Sequence, residues 1–483
     1  MSGLSRPRFS FNEAQPGRRR WMDKTPINFD ASCFSPKRRL QCFQLMDTET
    51  AYNKALDYLY SFVDYSLKNS SELAKADFNL DRMKVLMAVL GNPERQYAII
   101  HVAGTKGKGS TSALMASALR AAGIKTGLYT SPHLQDYVER IQIDGLAVSH
   151  AGLVELVEQV KPAVKGIPLL TTFEITTAIA YLYFAQQKVN AAVIEVGLGG
   201  RLDATNVVVP RVSVITSLSY DHMAVLGNTL TLIAGEKAGI IKPGIPVVSA
   251  PQVDEARVVL EKASAEHKSA LTMVGRDVRV ETGEHSLDGQ NLTVFTPEPV
   301  SFHIPLLGTH QAVNAATAFT ALRASGLKIS KEAIRKGFAE VSWPCRFEVI
   351  QREPPVILDS AHNPDSFEKL AETLEDYFPG KVIILIFGSS EDKDMAGMLN
   401  ILKEKVSLVL ATKAVHPRAT DPEKIIELAN RLGVRAETAT PVETALNRAV
   451  ELTVGGNNII VSAGSMFVTA EVKTAWQKLN NRS

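Results

Sequence analysis

Cysteine is scarce in this 483-residue sequence, and long apolar runs are missing from it. Of the three cysteines, Cys33 and Cys42 lie near the start, which leaves Cys345 alone in the remainder of the chain. This pattern excludes a disulfide framework and favours a reducing compartment, so we expect a cytoplasmic protein. No apolar run approaches the roughly 18 residues that a membrane-spanning helix needs, so we expect no membrane partner.

A strong charge of one sign is also missing. The formal net charge is +2, which gives no reason to expect a nucleic-acid partner. The exception is the stretch 1–45, which carries nine basic and three acidic residues without a periodic apolar pattern. We predict a disordered, nonessential basic tail over residues 1–46. Two alternatives stay open: an arginine-rich leader is typical of organellar transit peptides, and the tail could be an upstream extension of a reading frame that opens at Met46.

The sequence does contain a repeated alternation of short apolar runs with helix-like stretches. Its hydrophobic fraction is 45% and its charged fraction 22%, as in soluble globular proteins with complete cores. We predict an α/β fold, in which a doubly wound, P-loop NTPase-like parallel sheet domain over residues 47–342 is followed by a smaller Rossmann-like α/β domain over residues 343–483. Residues 275–307 are expected to form a small antiparallel insertion.

The most informative stretch is 97–123. An apolar run from Tyr97 to Ala103 predicts a buried strand, a turn rich in glycine and lysine follows, and an alanine-rich helix then extends to Gly123. A strand, a glycine loop and a helix in this order are typical of a phosphate cradle, in which backbone N–H groups and the helix N-terminus face the anion. Lys108 supplies a point charge, and Ser110 or Thr111 supplies a hydroxyl for Mg²⁺.

The spacing of this loop departs from the ordinary P-loop. The pattern G-x-x-x-x-G-K-[ST] requires a glycine where this chain has Val102 and a hydroxyl residue where it has Gly109. The residues alone would also fit a flexible loop between a strand and a helix. The flanking elements nevertheless favour the phosphate-binding interpretation.

Six ordered motifs point to one family. They are HVAGTKGKGST at 101–111, TSPHL at 130–134, IEVGLGGRLDATN at 194–206, DH at 221–222, EKAGI at 236–240 and DSAHNP at 359–364. Together they resemble the folylpolyglutamate synthase/dihydrofolate synthase family of the Mur ligase superfamily, over about residues 47–483. The resemblance implies a monomeric ligase that uses ATP and Mg²⁺ to join L-glutamate to a folate or to dihydropteroate through an acyl phosphate.

The resemblance also implies the nucleotide and metal sites. The implied catalytic residues are Lys108, Lys237 and His362, with Lys237 carbamylated. The implied Mg²⁺ ligands are Ser131, Glu195 and His222. The implied ATP-binding residues come from both halves of the chain and are Thr105, Lys106, Gly107, Lys108, Gly109, Ser110, Asn314, Arg346 and Asp359.

The implied substrate contacts lie in three loops. They are Lys75, Ala76, Thr171, Thr172, Phe173, Glu174, Leu202, Asp203 and Ala204. The first of these loops departs from the family pattern, so an ordinary helix connection is an equal alternative there. A second departure is Cys345, where the family usually has glycine before the arginine, because cysteine does not take positive φ as freely as glycine does.

Two other functions remain as alternatives. A cell-wall Mur ligase would carry a nucleotide-sugar domain before the P-loop, whereas only about 55 residues of mainly helical character precede it here. A catalytically idle P-loop protein would lack the metal or lysine positions, yet Lys108, Ser131, Glu195, His222 and Lys237 are all present. The sequence leaves open whether the enzyme adds the first glutamate, later ones or both.

Overall fold

The computed structural model describes residues 36–64, 78–453 and 457–480. The first of its two α/β domains is built on an eight-stranded sheet. The strands of that sheet are β1 (Ala98–Ala103), β2 (Thr126–Tyr129), β3 (Ile141–Ile143), β4 (Leu146–Ala147), β5 (Ala191–Glu195), β6 (Val212–Ile215), β7 (Val247–Ser249) and β8 (Leu271–Met273). Their order is β4-β3-β2-β5-β1-β6-β7-β8, and all pairs are parallel except those that β3 and β4 make at one edge.

Helices cover both faces of this sheet. They are α1 (Pro36–Tyr60), α2 (Asp81–Val89), α3 (Lys108–Ala121), α4 (His150–Lys165), α5 (Thr172–Gln186), α6 (Met223–Leu226), α7 (Leu230–Ala238), α8 (Asp254–Glu266), α9 (Thr309–Ala324) and α10 (Lys331–Ala339). Short 3₁₀ helices lie at Pro93–Arg95, Tyr137–Arg140 and Ala204–Val207.

Strand β1 explains why the sheet is doubly wound. Successive side chains of a strand point to opposite faces. Ile100 accordingly packs in one core with residues of α3 and α9, whereas Ile99 packs in the opposite core with residues of α1 and α5. Because both faces are buried, the central strands are apolar along most of their length, and this is the pattern from which they were predicted.

The expected antiparallel insertion follows the last strand of this sheet. It is a three-stranded antiparallel sheet of β9 (Arg279–Ser286), β10 (Gly289–Phe295) and β11 (Pro299–Ile304). Its inner face joins the core beneath α3 and α9 through Leu292, Val294 and Phe302. The insertion therefore supports the helix that follows it, α9.

The second domain is a smaller six-stranded sheet, parallel except for its first edge strand. In β14 the side chains again alternate between two cores. The strands are β12 (Glu348–Arg352), β13 (Pro355–Leu358), β14 (Val382–Phe387), β15 (Val406–Ala411), β16 (Ala436–Thr438) and β17 (Asn458–Ala463), in the order β12-β13-β17-β14-β15-β16. The helices are α11 (Pro364–Tyr377), α12 (Met395–Leu402), α13 (Pro422–Arg431), α14 (Val442–Thr453) and α15 (Met466–Asn480).

The start of the chain differs from the prediction. Helix α1 begins at Pro36, inside the predicted tail, and ends at Tyr60. Residues 36–46 therefore belong to a helix, and the prediction of a patternless tail up to residue 46 is wrong for them; residues 1–35 lie outside the described part. Within the described part, no helix combines the length and the apolar character that a membrane crossing requires.

Residues before Met46 are predicted to be dispensable for folding and catalysis. The side chains through which α1 packs on the first domain include Tyr52, Ala55 and Leu59, which are buried and lie after Met46. A chain that begins at Met46 should therefore match the full chain in melting temperature and in kcat/KM. A large drop in either quantity would show that earlier residues pack on the body of the protein.

Candidate active site

Three loops meet at the carboxyl edge of the first sheet. They follow β1, β5 and β6, which are neighbours in the sheet and run in the same direction. Open α/β sheets bind ligands at this edge. A cavity of about 740 Å³ opens there, and residues of both domains line it.

Every described residue that the family resemblance assigned to the site lines this cavity. Only Lys75 and Ala76 cannot be placed, because they lie outside the described residues. The individual roles of these residues stay predictions. The residues nevertheless come from positions between 105 and 362, and the predicted nucleotide, metal and substrate residues all line the same cavity.

The glycine loop after β1 is tightly held. The N–H groups of Thr105 and Lys106 donate to the carbonyl of Ser217, over 2.9 and 3.0 Å. Gly107, at φ +83°, precedes α3, and a Cβ there would lie 2.2 Å from Asn314 Oδ1. Glycine is therefore required at this position, both for its backbone conformation and for the close approach of Asn314.

The departure of this loop from the ordinary P-loop has a steric cause. A Cβ at Gly109 would lie 2.8 Å from the ring of Trp343, so a hydroxyl residue does not fit where the P-loop usually has one. Of the two nearby hydroxyl residues, Ser110 lines the cavity, whereas Thr111 is fully buried. The structure therefore favours Ser110 over Thr111 as the hydroxyl that faces a nucleotide. The sequence analysis did not predict a role for Trp343.

Lys108 and Glu195 face each other across the base of the cavity. Lys108 Nζ lies 4.0 Å from Glu195 Oε1 and donates to the carbonyl of Gly104 over 3.2 Å. Burial raises the pKa of Glu195 to about 7, although the charges of Lys108 and Arg346 oppose the rise. A nearby cation would offset the free-energy cost of keeping this buried carboxylate ionised.

The donor set fits Mg²⁺ only if the nucleotide helps to bind it. The described residues contain no cluster of three or more His, Cys, Asp or Glu side chains that could hold a metal ion by themselves. Glu195 and Ser131 are nevertheless oxygen donors of the type that Mg²⁺ prefers, with phosphate and water completing the shell. The side chain of His222, at the start of α6, is 45% exposed to the same cavity.

Asp221 connects the two domains at the cavity wall. Its carboxylate accepts from Lys106 Nζ over 3.5 Å, from Lys393 Nζ over 3.2 Å and from Asn363 Nδ2 over 3.4 Å. Burial alone would raise the pKa of Asp221, but the charges of His222, Lys106 and Lys393 hold it well below its usual range. The sequence analysis missed Lys393, since no local pattern indicates a contact between two domains.

Two further predicted catalytic residues lie in the same region. Lys237 in α7 is 4% exposed, and burial together with the charge of Lys108 lowers its pKa to about 7. His362 Nδ1 lies 2.8 Å from the carbonyl of Ser360, so Nδ1 carries the proton. Burial and the charges of Lys106 and Lys393 hold the pKa of His362 well below its usual range, so the ring is neutral.

The turn before Arg346 keeps a left-handed backbone despite its cysteine. Cys345 has φ +57°, at a cost of about 1 kcal/mol for a residue other than glycine. The thiol is buried in an apolar cluster of the second domain. Asp359 fixes the segments on both sides, because its two oxygens accept from the N–H groups of Phe347 and Ala361, each over 2.7 Å.

The predicted substrate contacts at 171–174 and 202–204 line one part of the cavity, which we call the substrate arm. Thr171 and Glu174 cap the start of α5 reciprocally, and Glu174 Oε1 also accepts from Arg82 Nε over 3.2 Å. The ring of Phe173 packs so closely on Gly197 that a Cβ there would lie 2.4 Å from it. Arg82 lines the arm too, and the sequence analysis did not single it out.

The loop that carries Ser131 is anchored to α1 and α4. His150 stacks on Tyr52 with ring centres 3.8 Å apart. Its ring nitrogens bond to Asp136 over 2.8 Å and to Glu49 over 2.6 Å. Partial burial lowers the pKa of His150, but the two carboxylates outweigh it and raise the pKa above its ordinary value.

This contact predicts a pH-dependent stability. A raised pKa means that the stabilisation is fully present below the ordinary histidine pKa of about 6.5 and is lost as pH rises through the folded-state value. The melting temperature of the wild type should therefore exceed that of His150→Gln most at about pH 6 and least at about pH 8.5. A difference that is constant, or that grows with pH, would contradict the imidazolium bridge.

The fold and the site together define a class of protein. Residues 102–322 match the Mur ligase middle domain, and residues 345–466 match the Mur ligase glutamate ligase domain. Residues of both matched regions line the cavity, which lies between the glycine loop and the second α/β domain. The chain is therefore a member of the ATP-dependent Mur ligases.

Individual relatives identify the family within this class. The chain is 37% identical to the dihydrofolate synthase/folylpolyglutamate synthase of Bacillus subtilis, over 88% of this chain and 99% of the relative. It is similar to the structure of Mycobacterium tuberculosis folylpolyglutamate synthase complexed with ADP, with a TM-score of 0.80 and 34% identity over 88% of this chain and 98% of that one. It is also similar to E. coli FolC in complex with DHPP and ADP, with a TM-score of 0.79 and 31% identity over 89% and 98%.

The chain belongs to the folylpolyglutamate synthase/dihydrofolate synthase family. It is thus a carbon–nitrogen ligase of the ADP-forming type, as predicted. The alternative of a cell-wall Mur ligase shares only the wider superfamily with it.

Proposed function

We propose that this enzyme joins L-glutamate to the carboxylate of dihydropteroate or of a folate, with ATP converted to ADP and phosphate. ATP phosphorylates the carboxylate, the glutamate nitrogen attacks the resulting acyl phosphate, and the nitrogen loses a proton as phosphate leaves. The observation that supports this most directly is the single cavity in which the glycine loop, Glu195, Arg346 and the arm at 171–174 meet.

Ser131, Glu195 and His222 are the residues proposed to hold Mg²⁺ beside the nucleotide. When bound, Mg²⁺ neutralises charge on the phosphates during transfer. Lys108 is proposed to contact the same phosphates, since its Nζ lies at the start of α3, where the helix N-terminus adds positive potential. Arg346 and Asp359 are proposed to hold the nucleotide from the second domain.

Lys237 is proposed to be carbamylated. The reaction needs the neutral amine, whose nitrogen attacks CO₂ and loses a proton as the carbamate forms. A pKa near 7 gives a large neutral fraction at physiological pH, and burial beside Lys108 favours conversion of this cation to an anion. The neutral ring of His362 is proposed to act at the phosphate or at the glutamate amine.

The reaction can be tested with separate substrates. Purified protein with ATP, Mg²⁺ and L-glutamate is offered dihydropteroate or tetrahydrofolate, and products are resolved by mass. We expect ADP and an added glutamate with at least one substrate, and the pair of results decides whether the enzyme is mono- or bifunctional. ADP formation without any glutamate adduct would contradict the proposal. Gel filtration of the same sample tests the expected monomer.

A further inference from the structure

A buried polar chain connects the core of the first sheet to the substrate arm. His101 on β1 is 0% exposed, and its Nε2 lies 2.9 Å from Thr205 Oγ1. Thr205 is also 0% exposed, and both its hydroxyl and its N–H donate to Asp203 Oδ1. Because Asp203 lines the cavity, the chain ends at a wall that faces substrate.

The direction of each hydrogen bond follows from the groups involved. A carboxylate only accepts, so the single hydroxyl proton of Thr205 is directed to Asp203. Thr205 Oγ1 must then accept from His101, whose proton lies on Nε2. Burial, with a smaller contribution from the charge of Lys242, lowers the pKa of His101 to about 3, so the ring is neutral and the direction is fixed at physiological pH.

This arrangement makes the two oxygens of Asp203 different. Oδ1 accepts two bonds from Thr205, which occupy both of its lone pairs. Oδ2 accepts from the N–H of Leu198 over 2.8 Å, and the N–H of Gly197 also lies close enough to lower the pKa of this carboxylate. Rotation of the carboxylate out of this plane would break both Thr205 bonds, so the chain from His101 also fixes the plane of the carboxylate.

We propose that His101 and Thr205 are positioning residues for the pteridine end of the substrate. They fix the rotation of the Asp203 carboxylate so that Oδ2 accepts a hydrogen bond from an N–H group of the bound ring. The inference rests on the proposed function, since it takes Asp203 as a substrate contact.

The loop backbone is held independently of this chain. The hydroxyl of Tyr181 donates to the carbonyl of Thr205 over 2.9 Å. Asn206 Nδ2 donates to the carbonyls of Arg201 and Gly239, over 2.9 and 3.0 Å. Removal of the Thr205 hydroxyl should therefore leave the loop backbone in place and change only the orientation of the Asp203 carboxylate.

The test compares Thr205→Val, Thr205→Ser and Tyr181→Phe in the full-length enzyme. Thr205→Val should raise the KM for dihydropteroate or tetrahydrofolate about tenfold, with kcat and the KM for ATP within about twofold of wild type. Thr205→Ser restores the hydroxyl and should restore the KM. Tyr181→Phe removes a bond to the same residue without touching the carboxylate, so it should leave the pteridine KM unchanged. Equal KM values for the valine and serine variants would overturn the proposal.

A double-mutant cycle tests the contribution of His101. His101→Leu should raise the pteridine KM, and adding it to Thr205→Val should cause no further rise, because both changes act through one hydroxyl. Additive effects on the pteridine KM would overturn the proposal. Melting curves of all variants distinguish a loss of folding from a change in the orientation of Asp203. If Thr205→Val does not fold, Thr205→Ala takes its place against Thr205→Ser.

Asp203→Asn distinguishes this inference from the proposed function. If Asp203→Asn leaves the pteridine KM unchanged, the proposed substrate arm is wrong. If Asp203→Asn raises that KM while Thr205→Val does not, the substrate arm stands and only the positioning role of His101 and Thr205 is wrong.

Discussion

Replacing Lys108 with alanine should lower kcat by about a hundredfold or more while the melting temperature changes little. The side chain is 18% exposed and makes one hydrogen bond, to the carbonyl of Gly104, so its contribution to the fold is small. Its Nζ is proposed to contact the phosphates of a nucleotide in the glycine loop. Loss of one such charge contact in a partly desolvated site typically costs about 3 kcal/mol of transition-state stabilisation.

The same substitution should also disturb Glu195. The charge of Lys108 is the largest influence that lowers the pKa of this buried carboxylate. Without it the pKa of Glu195 rises further, so we expect Lys108→Ala to require more Mg²⁺ for half-maximal activity. Titration of activity with Mg²⁺ measures this effect.

Lys125→Ala is a matched control for Lys108→Ala. Lys125 precedes β2, outside the residues that line the cavity, and its Nζ also donates to a backbone carbonyl, that of Gln187. Its removal should leave kcat and the Mg²⁺ requirement unchanged. Turnover of Lys108→Ala within threefold of wild type would end the assignment of residues 104–111 as a phosphate cradle.

The sequence predicted the central strands well because burial on both faces makes most of their residues apolar. The run at 191–195 is fully buried in the structure. Edge strands were missed for the opposite reason: β8 and β16 are only partly buried and lack an apolar run. Residues 36–46 were assigned to the tail and not to helix α1, because they carry no periodic apolar pattern.

The site was predictable where motifs carry it and not where distant residues complete it. The motifs around 104–110 and 194–206 follow apolar strands, and their glycine and charged residues make them recognisable in the sequence. Lys393 contacts Asp221 across 172 positions of sequence, and only the tertiary structure brings the two together. Gly109 shows the same limit, because its departure from the P-loop pattern is explained by the ring of Trp343, far along the chain.

The second large effect is expected at Arg346. This residue belongs to the second domain, lines the cavity, and its charge acts to lower the pKa of both Glu195 and Asp359. It is therefore placed to contact a nucleotide held in the glycine loop of the first domain. Arg346→Ala should lower kcat/KM by about a hundredfold, with little change in melting temperature.

Arg346→Ala should also uncouple the two halves of the reaction. If one ATP contacts both domains, its binding favours a closed arrangement, because only that arrangement makes both sets of contacts. Closure excludes water, which would otherwise hydrolyse the acyl phosphate before glutamate attacks it. The ratio of ADP formed to glutamate incorporated should therefore rise in the variant. Arg448→Ala is the control, since Arg448 pairs with Glu437 and Glu451 on the surface of the second domain.

Solution scattering tests closure directly. With a nonhydrolysable ATP analogue and folate, the radius of gyration of the wild type should fall, and that of Arg346→Ala should fall less. Asp221 already joins the domains through Lys393 and Asn363, and Gln135 joins them through Thr474. Suppose instead that the radius does not change and Arg346→Ala is as fast and as tightly coupled as wild type. The nucleotide would then contact the first domain alone, and the second domain would contribute only to the binding of the other substrates.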